Sequence, residues 1–232
     1  MTRTAVISQP TWLPYLGYFE LIAAADVFVF LDDVQFARRS WQSRNRIPTA
    51  NGELMLTVPV RRHDRETLIR DIEVDDGQPW RAKQLTSLRH AYAGRPFFAE
   101  GMAFMEEQLA RPEPRLSALS GGLIEAAARR LGLETLFVRA SDLDCDGARS
   151  EHLLALCRRV GADRYLSTGG SADYMAEDGV FEAAGFPVVF RSHQPRPYPQ
   201  GRDPFVPYMA FVDALMNLGW DGLARHVREA AG

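Results

Sequence analysis

The sequence predicts an α/β protein of Rossmann-like type, with a mostly parallel sheet covered by helices on both faces, and three observations support this. Residues 27–31, Val-Phe-Val-Phe-Leu, form an unbroken β-branched and aromatic run, as in a strand buried on both faces. A short helical pattern at 15–25, with Leu16, Phe19, Ile22 and Ala23 on one face, separates it from an earlier apolar run at 4–8. A strand–helix–strand unit of that size favours a right-handed parallel crossover. The strand–helix rhythm then returns in the C-terminal third, as expected for one sheet with helices on both sides.

Taken in order, residues 9–14 break the first run with two prolines, and Asp32-Asp33 marks the end of the second. Residues 44–75 read as a β-hairpin insertion. The runs at 46–47 and 54–60 flank Asn51-Gly52, a tight-turn dipeptide, and 68–74 is expected to add a third strand. Residues 79–132 read as a helical segment with candidates at 79–92, 96–109 and 116–131. Pro79 is tolerated near the first turn, and Gly132 suits the last helix end. Then come a strand at 135–139, a helix at 150–160 with Ser150 as N-cap and Gly161 as C-cap, and a strand at 164–167. A partly helical stretch at 173–184, a short strand at 187–190 and helices at 207–218 and 221–230 complete the pattern. No linker-like shift in composition divides the chain, so one α/β domain over 1–232 is expected.

Composition narrows the function. The 232 residues are 46% hydrophobic and 25% charged, enough to build a core, and the formal net charge of −3 carries no broad basic field, so a nucleic-acid partner is not expected. The two cysteines, Cys145 and Cys157, form no Cys-x-x-Cys pair. A reducing compartment is the default and a structural zinc site is not expected. Residues 1–4 lead directly into a short apolar run without the pattern of a signal peptide, and no run approaches the roughly 20 apolar residues of a membrane span. A cytoplasmic location is therefore expected.

Ligands of open α/β sheets bind beyond the carboxyl ends of the strands, and three segments fall there. The first is the turn after the opening strand, where Gln9, Pro10 and Tyr15 precede a helix whose amides suit an anion. The second holds Asp32 and Asp33, paired carboxylates able to orient a hydroxyl, take a proton or hold a metal, followed by Gln35. Downstream lies the guanidinium-rich run at 38–46, where Trp41 offers a stacking face and Arg44 and Asn45 offer hydrogen bonds to phosphate or carboxylate. The third is the Ser/Thr/Gly turn at 165–174, with Ser167, Gly170 and Tyr174. It is neither a Walker A loop nor a Gly-x-Gly-x-x-Gly fingerprint. A proline-rich loop at 193–200 adds Tyr198 and Gln200. The five histidines are scattered, and no Gly-x-Ser-x-Gly elbow is present, which disfavours metalloprotease and serine-triad chemistry. The residues identify no cofactor, and no metal ligands are assigned.

Several of these motifs together resemble the WbqC-like family. The matching runs are Gln9-Pro10 with Leu13-Pro14-Tyr15-Leu16-Gly17-Tyr18-Phe19, Ala25-Asp26-Val27-Phe28-Val29-Phe30-Leu31-Asp32-Asp33-Val34-Gln35-Phe36 and Ser40-Trp41-Gln42-Ser43-Arg44-Asn45-Arg46-Ile47. Later come Tyr165-Leu166-Ser167, Pro197-Tyr198-Pro199-Gln200 and Asn217-Leu218-Gly219. Thr168 and Ala210 depart from residues common in members. The resemblance implies a role in surface-polysaccharide (O-antigen) or natural-product assembly. The reaction it implies is transfer of a glycyl or related acyl group from an acyl donor to an amino sugar or small-molecule amine. Tyr15-Leu16-Gly17-Tyr18 also stands where nucleotidyltransferases carry His-x-Gly-His, with both histidines replaced by tyrosine.

An acyl or aminoacyl transferase is therefore the expected activity. Asp32 or Asp33 would accept a proton from the attacking amine, and Arg44, Ser167 and Gly170 would hold an anionic group. A nucleotide-dependent ligase and a non-catalytic ligand-binding protein are the alternatives. Small molecules are the expected partners, and homo-oligomerisation is left open.

Overall fold

The computed structural model describes residues 2–231. Its elements are β1 (Thr4–Ser8), α1 (Leu16–Ala23), β2 (Val27–Phe30), β3 (Arg44–Thr49), β4 (Gly52–Thr57), α2 (Trp80–Tyr92), α3 (Phe98–Leu109), α4 (Leu116–Arg130), β5 (Leu136–Arg139), α5 (Ser150–Arg159), β6 (Arg164–Thr168), α6 (Ala172–Asp178), α7 (Val180–Ala183), β7 (Val188–Arg191) and α8 (Phe211–Ala231). Five strands pair in the order β5-β2-β1-β6-β7, each with its neighbour in parallel. The chain thus builds outward from β1 to β2 and β5, then returns to the other side of β1 to lay down β6 and β7. β3 and β4 form a separate antiparallel pair closed at Asn51-Gly52, with Thr49 opposite Gly52.

The apolar run at 27–30 is fully buried because the sheet is covered on both faces. Val6, Phe28 and Phe30 belong to one apolar cluster with Phe19 of α1, Ile124 of α4 and Phe211 of α8. Ala5, Ile7, Val27 and Val29 belong to the other, with Leu156 and Cys157 of α5 and Phe181 of α7. Side chains alternate across a strand, so both residue sets must be apolar. Phe28 sits in an aromatic cluster with Tyr18 (ring centroids 5.2 Å apart), Phe30 (5.3 Å) and Phe137 (5.9 Å).

Three local details differ from the sequence expectation. Residues 68–74 do not add a third strand. Ile69 N–H donates to the Val34 carbonyl and Arg70 N–H to that of Asp32, which leaves a single 3₁₀ turn at Ile69–Asp71 and an isolated bridge between Val60 and Val74. Ser150 is the first helical residue of α5 rather than its cap, since Arg149 before it has φ 52° and the buried Ser150 hydroxyl has no partner. The stretch at 172–183 is split into α6 and α7 at Gly179 (φ 60°).

The two expected terminal helices are both present, meeting within α8 at Gly219, whose φ of 66° and ψ of 177° are not helical. A Cβ there would lie 2.5 Å from the Phe97 ring, so glycine is required both for the backbone and for the space. Among the described residues no helix is long and apolar enough to cross a membrane.

Replacing Phe28, which is 0% exposed, by Ala is expected to cost about 3–5 kcal/mol of folding stability. Denaturant unfolding of the two proteins measures it.

Candidate functional site

Strand order reverses between β1 and β6, and in an open parallel sheet the crevice beyond that point is where ligands bind. A cavity of about 230 Å³ lies beside it. Tyr15, Gly17 and Glu20 reach it from the start of α1, Thr168, Gly169 and Gly170 from the end of β6, Arg191, Ser192 and His193 from the end of β7, and Tyr208 from the segment before α8.

Its main chemical feature is a carboxylate–imidazole pair. His193 Nδ1 lies 2.8 Å from Glu20 Oε2, and both side chains are nearly buried. A carboxylate only accepts, so Nδ1 carries a proton, and in the neutral ring Nε2 is the nitrogen left to accept one. The other Glu20 oxygen, Oε1, is buried without a hydrogen-bond partner. The imidazole is held edge-to-face by Tyr15 (centroids 5.2 Å apart) and Tyr208 (5.8 Å), and the two tyrosines meet at 5.9 Å. Burial, with the nearby Glu20 carboxylate and Tyr208, raises the Tyr15 hydroxyl above its ordinary range, so it remains protonated.

The frame around the pair is strained and tightly packed. Tyr208 is 47% exposed yet holds φ 58°, and Leu13 in the turn before α1 holds φ 46°. Left-handed backbone at such side chains costs about 1–3 kcal/mol and persists where surroundings over-determine it. Around Leu13 those surroundings are Asn45 Nδ2, which donates to the Leu13 carbonyl (2.7 Å), and the fully buried Trp12, whose Nε1 donates to Gln84 Oε1 (3.2 Å). At Gly17 a Cβ would lie 2.5 Å from the Tyr15 ring and 2.7 Å from His193 Cγ, so only glycine lets the imidazole sit against α1.

The residues expected from sequence divide among several places. Tyr15 and Gly170 line the cavity. Gln9 and the buried Pro10 lie in the turn leading to it. The Gln9 side chain accepts from Gln42 Nε2 (2.8 Å), and its carbonyl accepts from the Tyr18 hydroxyl. Asp32 is turned toward the far strand. Its two oxygens accept from the Ser141 amide and hydroxyl, both at 3.0 Å, and burial, opposed by those bonds, raises its carboxyl above the ordinary range. Asp33 points to α5, with Oδ2 3.1 Å from His152 Nε2, and leaves Oδ1 and His152 Nδ1 buried and unpartnered. Neither aspartate lines the switch-point cavity.

The Ser167 hydroxyl is within a buried chain with Tyr165 and Ser171. Tyr174 lies under Arg149 on the other face of the sheet. Tyr198 and Gln200 both donate to buried Asp213 (2.6 and 2.8 Å) and anchor the proline-rich loop to α8. Arg44 lines a different pocket, Gln35 is exposed and bonded to the Arg65 carbonyl, and Trp41 is half exposed near Arg46.

Glu20 and His193 line the cavity but are not among the residues expected from sequence. A signal for Glu20 exists, since it is the one acid in an otherwise apolar short helix. For His193 no local signal exists, because its carboxylate partner lies 173 residues away.

A parallel α/β chain with a polar cavity at its switch point is the class that fold and site define. The chain belongs to the WbqC-like protein family, whose model matches residues 9–225. It is also similar to the uncharacterized protein Rv1507c of Mycobacterium tuberculosis, 33% identical over 231 residues that cover 94% of this chain and 95% of the relative. No solved structure matches the chain.

Gly17→Ala is expected to lower stability by about 1–3 kcal/mol through overpacking and to shift the His193 ring resonances in an NMR spectrum. The Asp32 carboxyl is raised in the folded state, so folding favours its protonated form. Its contribution is full below the unfolded value and is lost as pH rises through the folded one. Asparagine can accept from the Ser141 amide and donate to the Ser141 hydroxyl without titrating, so Asp32→Asn is expected to gain stability relative to the parent as pH rises from the ordinary aspartate range to neutrality, as followed by thermal melts across that range.

Proposed function

We propose that this protein transfers an aminoacyl (glycyl) or related acyl group to an amino sugar or other small amine, with His193 as general base. The observation that carries this reading is the Glu20–His193 pair, nearly buried at the switch-point cavity. Acyl transfer to an amine needs a group that takes the proton nitrogen loses as it bonds to the acyl carbon. That group must return the proton to the departing atom when the old acyl bond breaks. A neutral imidazole with one nitrogen committed to a carboxylate is such a group. Glu20 sets the tautomer, and its negative charge stabilises the imidazolium that forms.

The other residues around the cavity support the same reading. Tyr15 and Tyr208 hold the imidazole ring and present aromatic walls suited to a sugar face. Thr168, Gly169 and Gly170 form a small-residue floor that lets a substrate approach the carboxyl end of the sheet, and Arg191 supplies positive charge beside it. In this scheme Asp32 and Asp33 position the segment after β2 through Ser141 and His152, rather than touching the amine.

The reading is tested by following amide formation between an activated glycyl donor and amino sugars by mass spectrometry. His193→Gln and Glu20→Gln are each expected to lower turnover by about 10²- to 10⁴-fold, while Asp32→Asn keeps most of it. Parent-like turnover in both cavity variants, or loss confined to Asp32→Asn, would overturn the assignment.

A further inference from the structure

The guanidinium-rich run at 38–46 does not contribute to the switch-point cavity. It builds a second pocket of about 400 Å³, shared with the segment after β4, and the two share no residue. Five arginines line it: Arg38, Arg39 and Arg44 from one segment, Arg61 and Arg62 from the other. No carboxylate lines it, and the nearest acids along the chain, Asp64 and Glu66, are exposed outside it.

Among the described residues only Arg61 of the five has an ion pair, with Glu73 at 3.1 Å. A protein of net charge −3 thus holds four unpaired cations in one concavity. Like charges so gathered repel each other, and an arrangement of this kind is sustained when an anion binds among them.

One detail points to a ligand rather than a solvated patch. Arg38 is aimed by its neighbours. Its Nη2 donates to the His63 carbonyl (2.8 Å) and its Nε to His63 Nε2 (3.3 Å), while His63 Nδ1 lies 2.9 Å from the Arg61 carbonyl. These bonds require the Nδ1–H tautomer and hold the Arg38 fork with Nη1 to spare.

We propose that this arginine pocket binds a diphosphate group, free or esterified to an organic moiety. A single phosphate carries about two negative charges at neutral pH, too few for four unpaired guanidinium groups, whereas a second phosphoryl group comes closer to balance. Arginine forks match phosphoryl oxygens two at a time. Val58, Pro59 and Val60 give the pocket an uncharged ledge, on which the organic part of an ester can rest. The proposal does not rest on the general-base reading above, because it concerns another pocket and its test is binding rather than turnover.

The test is calorimetric titration of the full chain at low ionic strength with orthophosphate, pyrophosphate and a nucleoside 5′-diphosphate. Pyrophosphate is expected to bind about tenfold or more tightly than orthophosphate. Arg39 and Arg62 are exposed, so the Arg39→Gln/Arg62→Gln variant is expected to fold with an unchanged or higher melting temperature and to lose about tenfold or more in pyrophosphate affinity. Arg44→Lys is expected to weaken binding while keeping the charge, since lysine lacks the fork. A nucleoside diphosphate that binds more tightly than pyrophosphate assigns the site to an ester, and equal binding assigns it to the free diphosphate. Absence of pyrophosphate binding, equal affinity for orthophosphate, or undiminished binding in the double variant each overturns the proposal, as does binding to anionic phospholipid vesicles without binding to pyrophosphate.

Discussion

Everything in this fold depends on β1 being paired in parallel on both edges and covered on both faces. A strand in that position has its backbone groups taken up by β2 and β6 and its side chains taken up by two apolar clusters. Because the chain lays strands first on one side of β1 and then on the other, the helices and loops beyond its carboxyl end part at one place. The cavity between α1 and the ends of β6 and β7 follows from that parting. The polar residues that line it sit where the sheet can no longer bury them under a crossover.

Two carboxylate–imidazole pairs lie among the elements at this end of the molecule, and their surroundings separate them. Glu20–His193 borders a cavity, is braced by two tyrosines and leaves an imidazole nitrogen free for chemistry. Asp33–His152 is buried between the end of β2 and α5, with unpartnered atoms on both sides and no place in the switch-point cavity. Similar side chains thus have different access to a substrate. Family membership places the chain among WbqC-like proteins, and the geometry directs attention within it to the first pair.

How much of this was legible beforehand depends on the range of each interaction. The buried run at 27–30, the hairpin at Asn51-Gly52 and the helices of the central segment rest on local patterns, and each appears close to its expected position. The expected strand at 68–74 failed because its amides bond to Val34 and Asp32 rather than to β4, a choice made outside the segment. The site follows the same division. Strand-end loops were recognisable as loops, and of the residues expected there Tyr15 and Gly170 line the cavity. Gln9, Asn45, Ser167, Tyr198 and Gln200 have the same polar character, but their hydrogen bonds are spent within the protein.

The sequence by itself determined the class of fold, most of its strands and helices, and the family, because periodicity, turn chemistry and ordered motifs are carried by neighbouring residues. Only the tertiary structure decided which histidine meets which carboxylate, which polar side chains stay free, and which arginines share a pocket. Those outcomes depend on contacts between segments as far apart as Glu20 and His193, and no local pattern specifies the partner of a side chain that far along the chain.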